Sequence, residues 1–273
     1  MQKFLKPIRT ESLKDIFIKR FEELILSGTF PVGQKLPSER ELALQLSVSR
    51  PVVHEGLVDL AAKGLVTLIP RVGAFVNDYR KKGSLSLLTS LLNFHQGDLD
   101  PELLTSLLEM RLLLEVEYAR LAAFNRTGGQ LESFYDLLRE EDHSDPHNVG
   151  GISELDFNFH HLVALASGNS IYPLLLNSFK PCYITLAGQF FNDPAMVPVV
   201  FAYHKQIVKA FEEKDEKNAV QIMRNMLILG AEHFSGKAQE GAESRGQRAW
   251  GQEPGAKRKN RGAQSSGAQS SKQ

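Results

Sequence analysis

Two residue pairs, both at the same spacing, carry most of the chemistry this chain can perform. In ISELDFNFHHLVALAS, Asp156 and His160 stand four residues apart. On a helix that spacing puts a carboxylate and an imidazole on one face, where both reach a single cation. A core histidine hydrogen-bonded to a nearby acid fits the same pair, and spacing leaves both readings open. His161 falls to one side as a surface neighbour. Arg111 and Glu115 repeat the i, i+4 relation. The guanidinium there either pairs with its own acid or offers a fork of donors to an anion's carboxylate or phosphate.

The other arginines of interest, Arg40, Arg50 and Arg71, lie in the amino-terminal third, where the elements that would position them are legible. Ser12 to Ser27 reads as a helix with Leu13, Ile16, Phe17, Phe21, Leu24 and Ile25 inward. PSERELALQL opens a second helix with Ser38 three residues ahead of Glu41, a capping box, and Leu42 and Leu46 inward. A third helix capped by Ser49 turns Val53, Leu57, Leu60 and Ala61 to one face and Ser49, Arg50 and His54 to another; Gly64 ends it. LVTLI-PRVG-AFV then reads as two strands around a turn carrying Arg71 and Gly73. The pattern is a winged helix-turn-helix. An arginine at the amino end of its recognition helix can give two parallel hydrogen bonds to a guanine edge, the role expected of Arg50. Arg40 and Arg71 are expected on phosphate or in the minor groove. Solvated pairs of Arg40 and Arg50 with Glu39, Glu41 or Asp59 are the plainer reading.

FPVGQKLPSERELALQLSVSRPVVHEGLVDLAAKGLVTLIPRVGAFV resembles the DNA-binding domain of the GntR family of bacterial transcription regulators. The resemblance implies that Arg40, Ser49, Arg50, Arg71 and Gly73 meet double-stranded DNA. Where most members carry arginine in the recognition helix this chain has His54, so that contact or the operator differs. Gly56 replaces a small helix former, at about 1 kcal/mol against Ala. These two departures also admit a helical effector domain that has lost operator specificity.

Farther on, LDFNFHHLVALASGN and AYHKQIVKAF resemble segments of the FadR subfamily, whose helical domain carries an Asp and three His. They match Asp156, His160 and His204, implying a divalent metal of the zinc or nickel class. The last position falls on Met226, a soft thioether, and His233 lies seven residues beyond it, roughly 10 Å along a helix. The stretch from SELDF to FFNDP is also similar to an acyl-CoA-responsive branch that uses no metal; there Arg111 and Tyr183 occupy effector-binding positions.

At 273 residues and 42% hydrophobic the chain can bury two cores. Its zero net charge hides an asymmetry. Residues 1–82 hold fourteen Lys and Arg against nine Asp and Glu, residues 83–235 ten against twenty, and residues 236–273 eight against three. A basic first domain suits phosphate, and an acidic second domain is held off the duplex. The single Cys182, the lack of a membrane-length apolar run and the lack of a signal-peptide core lead to the expectation of a cytoplasmic protein.

The expected organisation is mainly α: a winged helix-turn-helix over 1–78, a polar joint and first bundle helix over 79–97, an antiparallel all-helical effector and dimerisation domain over 98–235, and a disordered basic tail over 236–273, whose Lys257, Arg258, Lys259 and Arg261 add nonspecific DNA attraction. The expected function is a homodimeric repressor on a near-palindromic operator, governed by a small acidic metabolite or a fatty acyl-CoA. A metal-dependent hydrolase or lyase using Asp156, His160 and His204 is the alternative of another class; it lacks a general base and leaves the winged helix unexplained.

Overall fold

The computed structural model describes residues 11–94 and 100–250. Helix α1 (Leu13–Leu26) is capped by Ser12, whose hydroxyl accepts from the Asp15 amide. Phe17, Phe21 and Ile25 turn inward as their spacing requires. Leu13 and Ile16 do not, being 56% and 45% exposed, and Ile18 and Glu22 are buried in their place. That side of α1 receives a later helix that its own sequence does not announce.

Helix α2 (Glu39–Leu46) starts from a complete capping box. The Ser38 amide donates to Glu41 Oε2 at 2.8 Å and the Glu41 amide to Ser38 Oγ at 3.3 Å. The amide bond, with the Ser38 hydroxyl, holds the Glu41 carboxyl below its ordinary range. Helix α3 (Arg50–Ala62) follows. Ser49 sits at its N-cap as expected, but the hydroxyl makes no cap bond. Pro51 in the first turn has already removed one orphan donor. Gly64, at φ +78°, ends α3 in a Schellman turn, with the Leu65 amide donating to the Leu60 carbonyl at 3.0 Å.

Gly56 also has a reason. A Cβ there would stand 2.3 Å from Cδ1 of the buried Phe17 ring, so glycine is what lets α1 lie against α3. The helix-propensity cost is offset by packing of Phe17, Phe21, Val53, Leu57 and Leu60.

The wing is the antiparallel pair β1 (Val66–Ile69) and β2 (Gly73–Val76), registered Val66 to Val76 and Ile69 to Gly73. The stretch before α2 adds to its outer edge through the Lys35–Phe75 bridge and the Leu36 amide on the Ala74 carbonyl, 2.8 Å. In the turn, the Val72 amide closes on the Ile69 carbonyl at 3.0 Å and Arg71 adopts φ +63°. With Pro70 at the second position this is the pattern of a type II turn, with arginine where glycine is usual.

The expected polar joint is instead pinned. Buried Asn77 donates to the Gly64 carbonyl at 3.0 Å and accepts from Thr67 at 2.7 Å. A one-turn helix α4 (Tyr79–Lys82) leads to Ser84, whose amide and hydroxyl donate to the carbonyls of Lys63 and Ala62 at the end of α3, 3.1 Å each. Helix α5 (Leu87–Phe94), read from sequence as the first helix of the bundle, places Leu87 in the same core cluster as Phe17 and Leu57. It is also tied down by polar atoms: Glu22 Oε1 accepts from Lys63 Nζ at 2.5 Å and Ser90 Oγ at 2.8 Å.

The remaining helices are α6 (Pro101–Asn125), α7 (Gly128–Asp142), α8 (Val149–Ala166), α9 (Tyr172–Phe190), α10 (Met196–Glu212) and α11 (Glu216–Trp250). Asp100 and Pro101 start α6 as expected, the Asp100 side chain accepting from the Glu102 amide. Gly128 and Gly129, expected to break the chain, are recruited into α7 by a second capping box between Thr127 and Gln130. Helix α8 packs against α6, α7 and α9, and α10 against α6 and α7. Tyr118, Phe134, Phe159, Ile207, Phe211 and Met223 are fully buried around it.

The expectation of a disordered tail from 236 is corrected over 236–250, where α11 continues to Trp250. Ala, Gln, Glu and Arg, all good helix formers, dominate there. A second compact unit begins at Phe234. Residues 251–273, with the Lys257 to Arg261 cluster, lie outside the described residues.

Candidate functional site

Two groups of polar side chains stand out, and they are held in opposite ways. On the winged helix-turn-helix, Arg40, Ser49, Arg50, His54 and Arg71 are all exposed. Glu39 lies beside the recognition helix: its Oε1 is 2.8 Å from His54 Nδ1, and its Oε2 is 3.9 Å from Arg50. The second contact is at the limit of an ion pair, and the Arg50 side chain remains 68% exposed. Of the other two acids in the plainer reading, Glu41 is taken by the Ser38 cap and Asp59 pairs with Lys14 at 3.0 Å.

Inside the bundle the structure brings together all three residues that the family motifs marked. Asp156 and His160 come from α8 and His204 from α10, and one ligand atom from each lies within 4.8 Å of the others. Asp156 Oδ1 faces His204 Nε2 at 3.6 Å and His160 Nε2 at 3.9 Å. The other nitrogen of each ring is held by a buried carboxylate. His204 Nδ1 meets Glu141 Oε1 of α7 at 2.7 Å, and His160 Nδ1 meets Glu115 Oε2 of α6. A carboxylate only accepts, so Nδ1 of His204 is the donor to Glu141, and Nε2 of each ring turns inward to Asp156. His204 is fully buried, Phe159 stacks on it at 3.7 Å, and its Nε2 has no hydrogen-bond partner.

Arg111 and Tyr183 join the same group. Arg111 Nε donates to Glu115 Oε1 at 2.6 Å, the i, i+4 pair that was one of its two readings. Its Nη2 reaches the Tyr183 hydroxyl at 3.4 Å, and that hydroxyl donates to Asp156 Oδ2 at 2.6 Å. Burial works against the Arg111 charge, but Glu115, Tyr183 and Asp156 outweigh it and keep the guanidinium protonated. Burial likewise opposes ionisation of Glu115, yet Arg111 and His160 draw its carboxyl down to about 2. Burial and then Asp156 push the Tyr183 phenol well above its ordinary value, which fixes it as a donor.

Outside this group, Met226 is buried, and His233 packs on the Phe190 ring at 4.8 Å. His161, expected at the surface, is half-buried on Phe157; burial and then Lys180 lower its pKa. Sequence reasoning missed Glu141 and the bond of Glu115 to His160. The signal was an acid on an apolar stripe: Glu141 stands seven residues after the fully buried Phe134.

An apolar slot borders the group between α6 and α9, lined by Leu107, Met110, Leu176 and Phe179, with Arg111 and Tyr183 at its polar end. It holds about 30 Å³ of open space, room for one water. Among the described residues no helix is long and apolar enough to cross a membrane.

Comparisons with known proteins agree with this architecture. Residues 17–76 match the model of bacterial regulatory proteins of the gntR family, and residues 77–238 that of the FadR C-terminal domain. The chain is 30% identical over 203 residues to the fatty acid metabolism regulator protein of Klebsiella pneumoniae, covering 74% of this chain and 82% of that one. It is 36% identical over 179 residues to the HTH-type transcriptional regulator Mce2R of Mycobacterium tuberculosis, covering 66% and 73%. Among solved structures, Lar, which controls the expression of the Listeria monocytogenes agr system, shares the fold at TM-score 0.53 and 17% identity over 82% of this chain and 96% of that one. With one matched domain shaped as a winged helix-turn-helix and the other as a helical bundle around a buried polar cluster, the chain belongs to the GntR family of bacterial transcription regulators, in the branch that carries the FadR C-terminal domain, and is not an enzyme.

Proposed function

We propose that this regulator binds a near-palindromic operator as a homodimer, and that a divalent metal together with a small acidic effector in the bundle releases it. On the DNA side, Arg50 at the amino end of α3 reads a base edge in the major groove, with Ser49 and His54 beside it. Arg40 takes phosphate. Arg71 and Gly73 carry the wing to the adjacent groove. An arginine in a left-handed conformation at the turn costs about 1 kcal/mol or more, a strain that persists where function uses it.

In the bundle, the observation that carries the reading is the donor set: two imidazole Nε2 atoms and one carboxylate oxygen converge, and each imidazole is backed by its own carboxylate. That outer arrangement is how proteins orient histidine ligands of metals. The formal charges agree. Glu115, Asp156 and Glu141 are 2%, 6% and 3% exposed, and the one buried guanidinium, Arg111, pairs with Glu115. Three buried carboxylates thus outnumber the one guanidinium among them, and a dication would offset the excess. Nitrogen and oxygen donors suit a zinc- or nickel-class ion, and the ion would give an acidic effector a positive centre. Elemental analysis of protein purified from its host without chelator tests this directly. About one equivalent of metal per chain, lost in His204→Ala, is expected; metal-free protein whose melting temperature ignores added Zn²⁺ and Ni²⁺ would refute it.

A second reading draws on the name of the Klebsiella relative and on the apolar slot, whose Leu and Phe walls suit an acyl chain. Room for one water is far less than such a chain needs, so this reading requires α6 and α9 to part. Operator release by a long-chain acyl-CoA, undiminished by chelator, would favour it.

A further inference from the structure

Glu39 has no role among the DNA contacts proposed above, yet it touches two of the residues that make them. It is the first residue of α2 and lies against the first turn of α3, where Oε1 meets His54 Nδ1 at 2.8 Å and Oε2 stands 3.9 Å from Arg50. Arg50 and His54 are four residues apart, so they share a face of α3 and are separated by about 6 Å along its axis. The Glu39 side chain is 35% exposed against 59% for His54 and 68% for Arg50, which puts the carboxylate behind and the two DNA-facing groups in front. A carboxylate only accepts, so Nδ1 of His54 is the donor, and Nε2 is the ring nitrogen left open to a base.

We propose that Glu39 is a specificity-determining residue that acts through His54: it holds the imidazole so that Nε2 meets one base edge, within about two base-pair steps of the base read by Arg50. This rests on the base-reading role of α3 proposed above. An imidazole that nothing holds must give up its rotamer freedom when it meets DNA, whereas one already held presents the same atom at every encounter. The negative charge of Glu39 has a second effect. On the face that meets the duplex it repels phosphate whatever the sequence. Glu39 therefore weakens binding to every sequence and strengthens the contact at one position, and both effects widen the gap between operator and random duplex. The charge does the first and the acceptor oxygen the second, so a substitution can separate them.

The test is selection of bound sites from randomised duplexes by the full chain, with affinities for the selected site and for random duplex measured alongside. The wild type is expected to favour one base at the position that Arg50→Ala loses, and one at a second position within about two base pairs of it. His54→Ala and Glu39→Ala should each cut the second preference by about 3- to 10-fold and leave the first intact, and the double variant should lose no more than either alone. Glu39→Gln should bind random duplex about 2- to 5-fold tighter, as Glu39→Ala does, yet keep the second preference, because a carboxamide oxygen still accepts from Nδ1. The proposal is overturned if Glu39→Ala changes no base preference, if it loses the Arg50 position instead, if it costs as much in the His54→Ala background as in the wild type, or if Gln serves no better than Ala. A folded wild type with no base preference anywhere overturns the base-reading role of α3 along with it, whereas a preference at the Arg50 position that ignores Glu39 and His54 removes this inference alone.

Discussion

The winged helix-turn-helix and the helical bundle handle charge in opposite ways. In the first, the core of Phe17, Phe21, Val53, Leu57 and Leu60 is apolar, the arginines are exposed, and the nearest acid to Arg50 stands 3.9 Å away. Lys63 and Glu22 are its one inward pair among the described charges, and they tie down α5. In the bundle, three carboxylates, a guanidinium and two imidazoles occupy the middle of the packing. Exposed charge is kept available for a partner that brings the opposite sign. Buried charge is stable only while every member stays paired, so such a cluster responds strongly to a change in any one.

The contrast breaks most visibly at Arg111. Arg111→Leu leaves Glu115 buried without its cation, and a loss of about 3–5 kcal/mol is expected in chemical denaturation of the bundle. A loss below 1 kcal/mol would mean that the cluster does not depend on its internal pairs. Acid sharpens the same point. The folded Glu115 carboxyl titrates at about 2, below the unfolded range near 4.3, so its contribution is present above about pH 4.3 and disappears as pH falls toward 2. A fall on the order of 3 kcal/mol over that window is expected from denaturation curves measured at stepped pH, and a slope unchanged in Glu115→Gln would contradict the assignment.

The DNA-binding half should show the reverse. Arg50→Ala should cost about 1–3 kcal/mol of preference for operator over random duplex in competition binding, with stability changed by less than about 0.5 kcal/mol. Equal preference in variant and wild type would take Arg50 out of the base-reading role. The smallest effect tests the packing beneath it. Gly56→Ala gains helix propensity but drives a methyl into the Phe17 ring, and a net loss of about 1–2 kcal/mol is expected from thermal melts. A variant more stable than wild type would show that Phe17 moves aside freely.

The elements were mostly legible because their signals are local. Ser38 and Glu41 form their capping box from residues three apart, and Asp100 with Pro101 starts α6 where chain chemistry says it should. What failed also has physical causes. Leu13 and Ile16 matched a helical stripe, yet Ile18 and Glu22 were buried instead, because α5 covers a side of α1 that spacing within α1 cannot reveal. Gly128 and Gly129 looked like a break, but Thr127 and Gln130 supply the bonds that start a helix through them. At the site, Asp156 and His160 were readable as a pair, whereas Glu141 lies 63 residues from His204 and nothing along the chain links them.

By itself the sequence determined that the chain begins with a winged helix-turn-helix bearing exposed arginines and continues as helices, since capping, apolar period and turn residues act over a few positions. Only the tertiary structure decided that Arg111 is paired with Glu115 rather than free, and that Glu115 and Glu141 turn two histidines toward Asp156. Burial of the Arg111 pair and the contacts of Glu115 with His160 and of Glu141 with His204 depend on which helix faces meet, and in water those acids and histidines, far apart along the chain, would have no reason to find one another. Burial makes each unpaired charge expensive, and that cost, rather than any local preference, fixes the partners.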